Sequence, residues 1–126
     1  MPSAADLPDP FDALLPDPGP AAVPAHVAYL AGKSTHRVVL SGDIDLALRN
    51  ALLDIAEAFA QSQAREIDVD LSAVTFLDST GLSFLVQLRN TCVERDGTVT
   101  LVAPSDAARR TLRLVAFDTM FSLREA

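Results

Sequence analysis

The sequence predicts an α/β sandwich of two layers: a mixed β-sheet of four to five strands with helices packed on one face. Two observations carry this prediction. Between positions 65 and 71, Ile67, Val69 and Leu71 alternate with Glu66, Asp68 and Asp70, so one face of a strand is buried and the other meets water. Thr98-Val99-Thr100-Leu101 repeats the alternation. A parallel sheet covered on both faces would show continuous apolar runs instead. The second observation is order: strand-period and helix-period segments alternate along the chain, which stacks a helical layer against a sheet.

Taken in order, the chain opens with an arm. Seven of the eight prolines fall within the first 24 residues, together with Asp6, Asp9, Asp12 and Asp17 and no base. Proline removes a backbone donor and fixes φ, and the stretch has no sustained hydrophobic period, so residues 1–25 are expected to be a disordered, acidic, Pro-rich arm. One domain is expected over 26–126. A weak strand around Val27-Ala28-Tyr29-Leu30 precedes a clearer one at His36-Arg37-Val38-Val39-Leu40. Residues 46–61 predict a helix, because Leu48, Leu52, Ile55 and Phe59 form one stripe with Asn50, Asp54, Glu57 and Gln61 opposite. After the strand at 65–71, a second helix is expected from Ser79 to about Arg95, stopped at Asp96-Gly97. A third opens after Pro104 with Ser105 as N-cap and runs to about Phe117. A short final strand is expected at 120–123.

Composition sets the function classes that remain. A chain of 126 residues with 49% apolar content supports one domain with a real core. The net charge of −7 argues against nucleic acid as a direct partner. No apolar run approaches the roughly 18 residues of a membrane span. The N-terminus, with no Lys or Arg before Lys33, does not read as an export signal, so the cytoplasm is the expected location. One cysteine, Cys92, forms no intrachain disulfide and reads as a small core residue. His26 and His36 lack the spacing of a metal site, and no cofactor is implied. Arg109, Arg110 and Arg113 make a local basic spot on an acidic protein.

The segment that carries chemistry is Val69-Asp70-Leu71-Ser72-Ala73-Val74-Thr75-Phe76-Leu77-Asp78-Ser79-Thr80-Gly81-Leu82, a strand passing into a helix through Asp-Ser-Thr-Gly. The first N–H groups of a helix have no intrahelical partner, and aligned peptide dipoles leave partial positive charge there. A hydroxyl at that point is well placed to carry a phosphate. Gly81 in the first turn is expected to let a partner approach the backbone closely. Ser, Thr and Asp are equally the ordinary N-cap residues, and the tetrapeptide alone does not choose between a cap and a phosphosite.

Leu40-Ser41-Gly42-Asp43-Ile44-Asp45-Leu46, followed by Val69-Asp70-Leu71-Ser72 and Phe76-Leu77-Asp78-Ser79-Thr80-Gly81-Leu82, resembles the pattern of bacterial anti-sigma-factor antagonists of the STAS domain family. Pro104-Ser105 and Phe117-Asp118 before Met120-Phe121 are similar to it as well. The resemblance implies a STAS-type sandwich over 26–126 with Ser79 as phosphoacceptor. It implies that Asp45 lies near the acceptor. By position, Asp78, Thr80 and Gly81 make up the surroundings of Ser79, Thr80 as helical scaffold, while Phe84, on the wide apolar arc of the second helix, reads as core covered by neighbours or, alternatively, as the border of a partner surface beside Ser79. The resemblance further implies an anti-sigma factor with an ATP-binding serine-kinase domain as partner. The unmodified protein would bind that factor and release a sigma factor, phosphorylation would end the binding, and a serine phosphatase would restore it.

The sequence departs from the family pattern in two places. Leu46-Ala47-Leu48-Arg49 follows directly where Thr or Ser and then Pro commonly open the first helix. Ala116 stands where a Gly often ends the third helix, which would cost about 1–2 kcal/mol if the backbone there is left-handed. Two other functions compete with the antagonist. A STAS accessory subunit of a transporter or stress-sensing complex keeps the fold and changes the task. A serine hydrolase would want Gly two positions before the nucleophile, where Leu77 stands, and a nearby His that the sequence does not supply, so an enzyme is not expected.

Overall fold

The computed structural model describes residues 25–125, so the expected arm lies, but for Ala25, outside the described residues. Within them the order is β1 (His26–Leu30), β2 (Thr35–Ile44), a 3-10 turn (Leu46–Leu48), α1 (Arg49–Gln61), β3 (Glu66–Leu77), α2 (Ser79–Glu94), β4 (Thr98–Val102), α3 (Asp106–Leu114) and β5 (Ser122–Arg124). The strands form one sheet in chain order. β1 runs antiparallel to β2, whereas β2, β3, β4 and β5 are parallel neighbours, so the sheet is mixed. Each parallel step moves one strand over in the same direction. Such crossovers are right-handed, which delivers α1, α2 and α3 to one face of the sheet.

The alternation seen in the sequence is the burial pattern of the strands. In β2, His36, Val38, Leu40, Gly42 and Ile44 point inward. In β3 the inward residues are Ile67, Val69 and Leu71, then Val74 and Leu77. The change of spacing has a cause: Val39 pairs with Asp70 but Ser41 with Ala73, and Gly42 pairs with Val74 but Asp43 with Phe76. β3 therefore carries an extra residue at each of two bulges, and each bulge flips the parity of its side chains. Simple alternation stops at Leu71 while the strand continues to Leu77. β2 likewise runs on through Ser41-Gly42-Asp43-Ile44, with Gly42 at φ 77, a conformation that Gly alone adopts without strain.

The inner faces form one apolar cluster. Leu52 and Phe59 of α1, Leu85, Leu88 and Cys92 of α2, and Ala108 and Leu112 of α3 pack with Val38, Leu40, Ile67, Val69, Leu71 and Leu101 of the sheet. Burying each of the larger side chains contributes about 1.5–3 kcal/mol. Burial pushes the Cys92 thiol up to about 11, so it stays protonated and inert at neutral pH. His36 is also a core residue: its ring meets Tyr29 and Phe59 edge-on at 5.5 and 5.6 Å, and its Nδ1 is hydrogen-bonded with the Tyr29 hydroxyl.

The outer face of the sheet is polar. Arg37 of β2 pairs with Asp70 of the neighbouring β3, and Arg124 of β5 reaches across β4 to Asp68 of β3, each at 2.9 Å. Burial pushes the Asp70 carboxyl up, but hydrogen bonds from Ser72 and the Arg37 guanidinium outweigh it and hold the group below its usual range.

Helix ends depart from expectation in detail. α2 is not stopped by a left-handed Gly97; the left-handed residue is Asp96, at φ 56, while the Gly97 N–H donates to Cys92 O at 2.7 Å. Gly97 is required because a Cβ there would overlap the Arg65 carbonyl. α3 ends at Leu114 rather than near Phe117, because Ala116 turns left-handed at φ 58 and the Phe117 N–H closes onto Leu112 O at 2.8 Å. The last strand starts at Ser122, two residues later than expected, beyond a turn held by Arg89 Nε donating to Met120 O at 3.0 Å. Arg95 closes the C-terminus of α1: its Nη1 donates to Ala64 O at 2.6 Å and Phe59 O at 3.3 Å, with its guanidinium 5.5 Å from the Phe59 ring centre.

Candidate functional site

Every parallel strand points its C-terminal end toward one rim of the sheet, and that rim holds the residues of interest. Ile44 pairs with Leu77 where β2 and β3 end, and the Asp78 N–H donates to Ile44 O at 3.2 Å. The next residues along the two strands are Asp45 and Asp78, so the bulges of β3 set these aspartates side by side. Each caps the segment after it. Asp45 accepts from the Ala47 N–H at 3.0 Å, opening the 3-10 turn that leads into α1. Asp78 accepts from the Thr80 N–H at 2.8 Å, opening α2.

Asp78, rather than Ser79, is therefore the N-cap of α2. Ser79 is the first helical residue and is exposed, its hydroxyl left free of the capping role. Thr80 is half-buried and belongs to the capped turn.

Gly81 and Phe84 both pack inward. A Cβ on Gly81 would overlap Leu77 Cδ1 and lie 3.1 Å from Ile44 Cγ2, so the missing side chain lets α2 sit against the ends of β2 and β3. The expectation that Gly81 opens its backbone to a partner is corrected: the close approach is to this protein's own core. Phe84 is 1% exposed and is a core residue, the first of the two readings of the apolar arc of α2.

What borders Ser79 is a groove of about 300 Å³ between α1 and α2. Leu46, Arg49 and Leu53 line it from the α1 side, Ser79, Ser83 and Gln87 from the α2 side, with Phe84 beneath. Leu46 and Leu53 are 66% and 40% exposed. Sequence reasoning did not select Leu46, Arg49 or Leu53. The signal available was that Leu53 lies off the Leu48-Leu52-Ile55-Phe59 stripe, an apolar residue on the side of the helix that owes nothing to the core. Among the described residues, no cluster of His, Cys, Asp or Glu is placed to hold a metal ion. Among them, too, no helix is long and apolar enough to cross a membrane.

Residues 27–125 match a family model described as the Mlab STAS domain. The chain belongs to the STAS domain family. Its fold is shared by solved structures of anti-sigma-factor antagonists. One from Mycobacterium paratuberculosis is 29% identical with a TM-score of 0.66, the match covering 84% of this chain and 88% of that one. The anti-sigma factor antagonist SpoIIAA in its unphosphorylated form is 18% identical with a TM-score of 0.68, covering 82% and 88%. The Bacillus cell-fate determinant SpoIIAA in its phosphorylated form is 16% identical with a TM-score of 0.57, covering 82% and 91%. Among proteins of curated function, none is significantly similar in sequence.

Proposed function

We propose that this STAS protein is an anti-sigma-factor antagonist, a cytoplasmic binding module rather than an enzyme, switched by phosphorylation of Ser79. One observation carries the reading: Asp78 takes the cap of α2 and leaves the Ser79 hydroxyl exposed on the rim of a groove with accessible leucines. In the unmodified form, an anti-sigma factor with an ATP-binding serine-kinase domain docks over this rim and surrenders its sigma factor. The same domain then transfers the γ-phosphoryl group of ATP to Ser79 Oγ. The new O–P ester bond replaces the β,γ-bridging bond, and ADP and the hydroxyl proton leave. A serine phosphatase reverses the change with water, releasing inorganic phosphate.

The physical basis of the switch is local. Phosphate brings about −1.5 to −2 charges at neutral pH, next to Asp78 and the adjacent Asp45. A partner surface shaped for a neutral hydroxyl meets bulk, repulsion and desolvation together, and like-charge juxtaposition at an interface costs several kcal/mol. At about 1.4 kcal/mol per tenfold, affinity falls by orders of magnitude while the fold stays as it is. That SpoIIAA has been described in both phosphorylated and unphosphorylated forms supports the reading.

The family match to a Mlab STAS domain, rather than to an antagonist by name, favours keeping one second occupant of the rim in view: a transporter or stress-sensing complex that uses this chain as an accessory subunit. A pull-down from native cytoplasm separates the two, returning an ATP-binding anti-sigma factor in the first case and an ABC-transporter ATPase in the second. The direct test is mass spectrometry of Ser79 after exposure to candidate kinases with ATP. The partner is expected to bind the unmodified chain and release the phosphorylated one; equal affinity for both would defeat the proposal.

A further inference from the structure

Arg49 lines the same groove as Ser79. It is the first residue of α1, directly after the 3-10 turn that Asp45 caps, and it is exposed. Among the described residues the ion pairs are Arg37–Asp70, Arg109–Glu125 and Arg124–Asp68, and Arg49 belongs to none of them. The two nearby carboxylates, Asp45 and Asp78, are turned to the backbone N–H groups they cap. An exposed guanidinium thus stands on the α1 side of the groove, with Ser79 on the α2 side.

Resting on the reading of Ser79 as a phosphoacceptor, we propose that Arg49 captures the phosphate within the same molecule. The phosphoryl oxygens and the planar guanidinium are matched for a bidentate, charge-assisted pair. Capture gives Arg49 an anionic partner and spans the groove from one helix to the other. The switch then has two halves. Phosphate adds negative charge to the rim, and it also withdraws the groove's cation from an acidic group on the partner. Aspartate at 79 is shorter and carries a single charge, so it reproduces the repulsion and only part of the capture.

The test installs phosphoserine at position 79 during translation of the full chain, so no kinase is needed, and tracks the phosphate by phosphorus NMR across pH. The groups facing the phosphate are Asp45 at the end of β2 and Asp78 at the cap of α2, which raise its second pKa, and Arg49 on α1, which lowers it. With Arg49→Gln, the second pKa is expected to rise by about half a unit relative to the chain that keeps Arg49. The Arg49 Nε–H resonance is expected to move on phosphorylation. Identical titrations with and without Arg49, and an unmoved resonance, would overturn the capture. That result would leave the reading of Ser79 standing; the reading itself fails separately if a partner binds the phosphorylated and unmodified chains alike.

Discussion

Ser79 and Ser105 stand at matching points, each at the junction of a parallel strand and its succeeding helix, yet the protein uses them differently. The Ser105 hydroxyl accepts from the Ala108 N–H at 3.1 Å and donates to Val74 O at 2.6 Å, while its backbone N–H donates to Leu71 O at 3.1 Å. It fastens α3 to the bulged part of β3. Ser79 has Asp78 before it, and the carboxylate takes the cap. One hydroxyl is committed to the fold and the other is spared by its neighbour. A side chain relieved of structural duty at an exposed helix start can change chemically without unfolding the protein, and that is what a switch requires.

The largest expected effect breaks the symmetry through binding. Ser79→Asp should weaken partner affinity by about a hundredfold by titration calorimetry, with Ser79→Ala retaining full affinity and no longer responding to kinase. A Ser105→Ala protein should bind as the wild type does wherever it is folded; loss of binding there would place the contact surface elsewhere. Next comes the packing beneath Ser79. Gly81→Ala should destabilise by about 2 kcal/mol in urea unfolding, because Leu77 and Ile44 must move to admit the methyl group. An unchanged unfolding midpoint would mean that α2 stands further from the sheet than described.

The cap comparison itself is sharpened by stability. Ser105→Ala should cost about 1–2 kcal/mol, since a cap is lost and the Val74 carbonyl loses its donor, whereas Ser79→Ala should stay within about 0.5 kcal/mol. Equal losses would show that Ser79 shares the capping after all. At the other end of α3, Ala116→Gly should stabilise by about 1 kcal/mol by relieving a left-handed Ala, and an unchanged melting temperature would argue against φ 58 at that position.

The smallest effect concerns acid. Because the folded-state pKa of Asp70 is lowered, its contribution to stability is present above the ordinary carboxylate value near 4 and is lost as pH falls through the folded value. Asp70→Asn should therefore flatten the stability profile on the acid side by less than about 1 kcal/mol, the ion pair being partly exposed. Since Asp70 lies on the outer face of the sheet, partner affinity at neutral pH should not depend on it.

Much of this was legible in the residues. Alternation at Ile67, Val69 and Leu71 revealed a sheet with one wet face, and the Leu48-Leu52-Ile55-Phe59 stripe revealed the face of α1 that packs. Pro104-Ser105 announced the cap of α3. The bulges of β3 were not legible, because a strand that switches parity twice reads as a loop after Leu71. Gly81 was misread for a related reason. A missing side chain in a first turn suits an outside partner or an inside neighbour equally well, and only the approach of Leu77 and Ile44 decides.

By itself, the sequence determined the order of the elements, the one-sided sheet and the junction where a hydroxyl meets a helix start, since all three arise from local period and capping chemistry. The tertiary structure alone decided which side chain caps α2, which glycine is there for packing, and that Leu46, Arg49 and Leu53 share a groove with Ser79. These depend on where separate segments meet. Such meetings are set by strand register and helix approach, which no local pattern of residues encodes.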